Sequence, residues 1–381
     1  MNTEFESYCE YVNKNHSYIE RLLKDIAVIP APSGFEDKRA EFCLNFFKEI
    51  GCDNAYVDDA KNVVCVINGA ENSDDLVCFM AHTDVVFPDT EPLPYEDDGE
   101  NIYCPGIGDD TLPLVSLLMS VKYIKDNNIK LNQGIIFVAN ACEEGLGNLK
   151  GSKKIFADYG DRIKRMYTFD GQNDHVVTKS VGSHRYEVTV KTEGGHSYSK
   201  FGNRNAIAVL AEIISDIYRL KVPEKAGTKT TYNVGIVNGG TSVNTIAQEA
   251  SMLCEYRSDD LECLNIMKDK FQNIFEAAKG KCLSLDIKLV GDRPCMKPVD
   301  KNIHTKMIET AKEIQGRFCG EVVRESSSST DANIPLSLGI PALCIGTYSG
   351  GKAHTREEWI KKSSIDESVL IALELIMREG I

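Results

Sequence analysis

The sequence predicts a larger α/β domain, a mixed but mostly parallel sheet with helices on both faces, interrupted by a smaller α+β domain. Three observations carry that prediction. The runs "NVVCVI" (62–67), "LVCFMAH" (76–82) and "GIIFVANA" (134–141) are apolar at nearly every position, as strands covered on both faces are. A helical stretch, "LPLVSLLMSVKYIKDN" (112–127), lies between two of them, and strand–helix–strand order indicates a parallel sheet. Near residue 183 the pattern turns to alternation in "HRYEVTVKTE", as in a half-exposed antiparallel strand.

Residues 17–29 and 37–50 carry helical periodicity. Between them, "IPAPSGFED" is a Pro/Gly/Ser loop in which Ser33 or Asp37 offers an N-cap. Pro113 suits the first turn of the 112–127 helix, where a missing N–H costs little. "MYTFDGQ" reads as a strand-like run ending at Asp170. After the change of pattern come a helix at 206–220, the strands "YNVGIVNGG" and "ASMLCEYRS", a helix at 261–279 and the strand "SLDIKLVG". This β-α-β-β-α-β order predicts a ferredoxin-like open sheet with two helices on one side. Beyond Pro294 the chain returns to helix ("IHTKMIETAKEIQG") and a short strand ("PALCIGT"), while the serines at 326–329 read as a loop. The expected division is residues 1–182 with 294–381 for the larger domain and 183–293 for the insert.

Composition narrows the function. The 381 residues hold 43 Lys plus Arg against 57 Asp plus Glu, a net charge of −14. Such a chain repels phosphate backbones and anionic lipid, so neither nucleic acid nor a membrane is expected as partner. No apolar run approaches the ~18 residues of a membrane span, and no basic, then apolar, leader opens the chain. Thirteen scattered cysteines without a C-x-x-C read as reduced thiols of a cytoplasmic protein.

Five short pieces bear chemistry. His82 and Asp84 end an apolar strand on one face: either a polar strand end, or a metal-binding imidazole with the carboxylate that orients it. In "CPGIGDDTLP", Asp109 and Asp110 precede an apolar helix, and one of them could simply cap it. In "VANACEEGLG" a buried strand delivers Glu143 and Glu144 into a Gly-rich loop, where each charge is costly unless paired or metal-bound. Asp170 ends another strand, and His354 follows a glycine loop in "GGKAHTREEWI". Parallel strands aim their C-terminal ends at one edge, which gathers these residues. A set of His, Asp and Glu without Cys suits two divalent ions, most simply zinc, sharing a carboxylate about 3.5–4 Å from ion to ion. "GLGNLKGSKK" lacks the P-loop spacing, and no G-x-S-x-G elbow supports a serine hydrolase.

In order along the chain stand "IPAPSGFED", "AHTDVV", "GIGDDT", "CEEG", "FDG", "GGHS", "NRNAI", "GGTSVNTI", "YRS", "STDANIP" and "AHTREEW". On these motifs, which span nearly its whole length, the chain resembles the cocatalytic zinc exopeptidases and deacylases that include peptidase T, carboxypeptidase G, aminoacylase and succinyl-diaminopimelate desuccinylase. The resemblance implies that His82 binds one ion and Asp84 orients it. It implies that Asp109 bridges both ions, with a cis peptide bond after it. Glu143 would be the general base for the attacking water, Glu144 and His354 would hold the second ion, and Asp170 would complete the first site. In the insert, His196 of "GGHS" would stabilise the oxyanion, commonly across a homodimer formed through that domain. Asn244 and Arg257 would touch substrate. Read alone, His196 is more often a structural histidine, and Arg257 is equally an ion pair with Asp259 or Asp260.

Asp at position 170 leans towards family members acting as aminopeptidases or tripeptidases on short peptides; carboxypeptidase-like and N-acyl amino acid deacylase members favour Glu there. The family often continues its bridging Asp as D-D-K or D-M-K before glycine, whereas this chain reads Asp109-Asp110-Thr111-Leu112-Pro113, which leaves the substrate open. Cobalt and manganese suit the same N/O ligands. A non-catalytic binding protein on the same fold is the reading from another class, and an intact Glu143 argues against it.

Overall fold

The computed structural model describes residues 3–67, 74–320 and 322–381. The chain divides into two compact units, Met1–Lys179 with Pro298–Ile381, and Ser180–Lys297.

The first unit is built on one eight-stranded sheet. Its order is Tyr56–Val57, Val63–Ile67, Gly134–Asn140, Leu76–His82, Ile163–Phe169, Ala342–Ile345, His175–Ser180 and Arg324–Ser328. The four central strands, from Gly134–Asn140 to Ala342–Ile345, run parallel. Val63–Ile67 and His175–Ser180 flank them antiparallel. An apolar run reports burial on both faces and is silent on direction, so "NVVCVI" gave no sign of its antiparallel pairing.

Leu76–His82 is buried at every residue. Alternation along the strand sends Val77, Phe79 and Ala81 into the main core with Ile19, Leu117 and Leu373 from three helices. Leu76, Cys78 and Met80 are as fully buried on the opposite face. The helix Leu112–Asp126 carries Pro in its first turn and packs on Ser364–Gly380, where the Ser116 and Ser368 hydroxyls lie 2.8 Å apart.

Three local expectations change. The first helix spans Thr3–Ala27 rather than starting at residue 17, because its buried stripe begins at Tyr8 and Val12. The second helix, Asp37–Glu49, has no side-chain cap, and the Ser33 hydroxyl is committed elsewhere. The serines read as a loop form most of the strand Arg324–Ser328. That strand lies at the sheet's edge and is largely exposed, so backbone pairing holds it without the apolar signature of a core strand.

The second unit is a four-stranded antiparallel sheet ordered Thr230–Gly239, Glu249–Ser258, Gly182–Lys191, Ser284–Arg293, the ferredoxin-like arrangement. Every second residue of Glu249–Ser258 is buried, so the sheet has one covered face. The cover is two helices, Ala206–Tyr218 capped by Asn205 and Leu261–Ala278 capped by Asp260. Val188, Met252 and Tyr256 from the strands meet Leu210, Met267 and Phe271 from the helices in a separate core. All thirteen cysteines are free thiols. Among the described residues no helix is long and apolar enough to cross a membrane.

The Phe79 ring stacks between its strand neighbours, 6.0 Å from Phe137 and 5.3 Å from Tyr167. Phe79→Ala is expected to lower unfolding stability by about 3–5 kcal/mol, measured by urea titration. A loss below about 1 kcal/mol would show that this strand is not the core's centre.

Candidate metal centre

Three neighbouring parallel strands deliver their last residues to one edge. His82 closes Leu76–His82, Asp170 follows Ile163–Phe169, and Glu143 and Glu144 follow Gly134–Asn140 after a reversal at Cys142, whose φ is 61°. The turn Ile107–Thr111 contributes Asp109, joined to Asp110 by a cis peptide bond. His354, itself at φ 64°, comes from the loop before Trp359–Lys361.

Asp109 is the centre of this group. Its Oδ1 lies 3.0 Å from His82 Nε2 and its Oδ2 lies 3.0 Å from His354 Nε2. His354 Nε2 is also 3.0 Å from Glu144 Oε1. Two triads of donor atoms share Asp109: His82, Asp109 and Asp170, and Asp109, Glu144 and His354, with each triad's atoms within 4.8 Å of one another. Glu143 forms a further cluster with His82 and Glu144 at the same spacing.

The loops are tied together through backbone N–H groups. The Asp84 carboxylate accepts the Glu143 N–H on Oδ1 and the Glu144 N–H on Oδ2, both at 2.9 Å, and the Ser33 hydroxyl donates to Oδ2 at 2.6 Å. His82 Nδ1 is 3.0 Å from the Asp84 carbonyl oxygen and 3.5 Å from its carboxylate. Asp84 therefore faces His82 chiefly through its backbone, and its carboxylate holds the two glutamates in place.

The charges here are out of balance for a metal-free interior. Burial, helped by Asp109 and Glu143, pushes Glu144 up to about 7 against the pull of His354. Burial and Asp109 raise Asp170 well above the carboxylate range. Burial lowers His82, but Asp110, Asp109 and Asp84 outweigh it and raise the imidazole well above its usual value. Hydrogen bonds to Asp109 and Glu144 push His354 up to about 11. Burial opposes the ionisation of Asp109, yet His354 and His82 hold it well below the usual range. Divalent cations would replace protons among these donors while relieving the crowded acids. The donor set, N and O atoms in two triads with one shared carboxylate, fits two such ions.

A model of peptidase family M20/M25/M40 matches residues 78–378. The chain belongs to this family. It is accordingly a metal-dependent hydrolase of amide bonds. An acetylornithine deacetylase of Aliivibrio fischeri is 21% identical, over 95% of this chain and 97% of that protein. A tripeptidase from Staphylococcus aureus superposes with a TM-score of 0.74 at 23% identity, covering 94% of this chain and 98% of that one. YXEP of Bacillus subtilis, described as a dinuclear metal binding peptidase, superposes with a TM-score of 0.64 at 16% identity over 97% of this chain and all of its own. At these identities the two superpositions establish the M20 fold.

The remaining expected residues lie in the second unit. His196 pairs with Thr245 across a short antiparallel bridge, and the Ser197 N–H donates to the Asn244 carbonyl at 2.9 Å, so the structure sets His196 and Asn244 side by side. Asn244 Oδ1 accepts the Ser242 hydroxyl at 2.8 Å. Arg257 stands apart on Glu249–Ser258, its guanidinium forked onto Glu255 at 2.7 and 3.0 Å, rather than onto Asp259 or Asp260.

Several residues of this M20 centre, or the contacts they make there, went unnoticed in the sequence. Glu36 is buried and accepts the Gly34 and Cys142 N–H groups, linking the first loop to the glutamates. Arg39 is buried, with hydrogen bonds to the Thr83 carbonyl at 3.1 Å and the Thr111 hydroxyl at 3.3 Å. Asp110 does not cap the following helix; its Oδ2 accepts the His82 N–H at 2.8 Å. Glu358 binds the turn before Asp109. Charged residues inside otherwise apolar periodicity, Arg39 on its helix above all, were the available signal.

Ion-free protein is expected to take up two equivalents of zinc or cobalt(II) in a calorimetric titration. His354→Ala should weaken one of the two by about tenfold or more. Unchanged affinity for both equivalents would remove His354 from the ligand set.

Proposed function

We propose that this protein is a dizinc exopeptidase acting on short peptides as a tripeptidase-like aminopeptidase. The carrying observation is Asp109 between two imidazoles, with Asp170, a short carboxylate, completing the His82 triad. Each proposed ligand, His82, Asp109, Glu144, Asp170 and His354, belongs to one of the two triads. Bound there, the two ions would supply Lewis-acid polarisation of the scissile carbonyl and of the attacking water.

The chain's own residues do the rest. Glu143 is buried, and its main chain is pinned by Asp84. It takes the proton from the attacking water and delivers it to the departing amine. Asp84 keeps Glu143 and Glu144 on the same short loop, so base and ligand move together. His196 is read as the oxyanion donor, a contribution of about 2.7–4 kcal/mol in comparable sites. Asn244 and Arg257 are read as substrate contacts, with Arg257 offering its fork to a carboxylate once it leaves Glu255. The inserted unit is read as lid and homodimer former. Zinc is the simplest ion for this donor set, with cobalt and manganese as alternatives.

The tripeptidase relative supports peptide substrates. The deacetylase relative supports a second reading, an N-acyl amino acid deacylase working by the same hydrolysis. A panel of tripeptides and N-acetyl amino acids separates the two: turnover of tripeptides is expected, and hydrolysis of the N-acetyl amino acids alone would install the second reading. Glu143→Gln should keep both ions and lose about 10²–10⁴ in kcat. Undiminished turnover in that variant would reject Glu143 as base.

A further inference from the structure

We propose that Glu358 is the positioning residue for the shared carboxylate Asp109, so that the segment carrying one metal ligand also sets the ligand both ions share. Glu358 is 1% exposed. Its carboxylate accepts three main-chain N–H groups from one turn: Gly106 on Oε2 at 2.8 Å, and Gly108 and Asp109 on Oε1 at 2.9 and 2.8 Å. The N–H of Asp109 itself is among them. A second tie runs alongside, from the Cys104 N–H to the Glu358 carbonyl at 3.1 Å.

The turn is shaped to make this cup. Gly106 sits at φ 77°, and a Cβ there would come within 2.4 Å of Val85. A Cβ on Gly108 would meet the Tyr348 ring at 2.4 Å. With Val85 and Tyr348 against these two glycines and Glu358 drawing in the N–H groups, the backbone entering Asp109 has little freedom. That restraint matters because Asp109 must direct its two oxygens at different histidines, His82 and His354. A small rotation about its backbone would improve one approach and spoil the other. Glu358 follows His354 by four residues and leads into Trp359–Lys361, which pairs with Asn101–Tyr103 just before the turn. One short segment therefore carries both the second histidine and the carboxylate that aims the bridge. A buried carboxylate that merely closed a turn would stabilise the fold without changing ion binding, and this difference is measurable.

The inference rests on the reading that Asp109 is shared by two ions, which the wild-type protein tests by itself: ion-free wild type binding fewer than two equivalents of zinc would reject that reading. The inference is then tested on Glu358→Gln. Its amide oxygen can still accept from Gly108 and Asp109, but its NH₂ faces the Gly106 N–H, donor against donor. The expected result is a wild-type far-UV spectrum, zinc affinity reduced by about tenfold or more for at least one equivalent, and faster amide exchange confined to residues 104–111. Glu358→Asp, which keeps the charge but is one methylene shorter, should shift ion binding in the same direction. A folded Glu358→Gln that binds both equivalents as wild type does would overturn the proposal. So would failure of both variants to fold, since Glu358 would then be a general support of the fold.

Discussion

Everything at the sheet's C-terminal edge is arranged around one carboxylate that has to face two ways. Asp109 reaches His82 with one oxygen and His354 with the other, each at 3.0 Å. The histidines come from opposite parts of the chain, one from a central strand and one from a loop near the C-terminus. A carboxylate shared between such distant segments demands that each be fixed independently, because an error in either is felt by both triads. The fully buried strand Leu76–His82 fixes the first, and the paired segment around Trp359–Lys361 steadies the second.

The means of fixing is unusual in its economy of cations. Buried acids normally need a partner to remain charged. Here Asp84, Glu36 and Glu358 accept main-chain N–H groups of the loops that carry the reactive side chains. Each such bond settles an orphan donor and places a ligand or base in one stroke. The positive charge that the remaining acids require is one that metal ions would supply. Arg39 is the exception, a buried guanidinium committed to carbonyl and hydroxyl oxygens behind the site.

Much of the fold could be read from the chain. The apolar runs, the Pro-led helix and the switch to alternation all mark real elements, because burial on one or both faces dictates residue type directly. Strand direction in Val63–Ile67 was not legible, since a strand covered on both faces looks alike in either sense. The edge strand Arg324–Ser328 was hidden for the opposite reason: exposed side chains leave backbone pairing without a signature.

The candidate site residues were nameable because motif chemistry resides in side-chain type and order along the chain. The sequence by itself determined that His82, Asp109, Glu143, Glu144, Asp170 and His354 were the groups to watch. Only the tertiary structure decided their surroundings: that Asp84 serves the glutamates more than its own histidine, that Arg257 is forked onto Glu255, and that the Glu358 carboxylate accepts the Asp109 N–H. The physical reason is that the Asp84 and Glu358 contacts are side chain to backbone bonds across 59 to 252 residues of chain, while the Arg257 fork is a choice among neighbouring acids that spacing alone leaves open. A backbone N–H has no letter of its own, so its partner becomes visible only when the fold brings the two together.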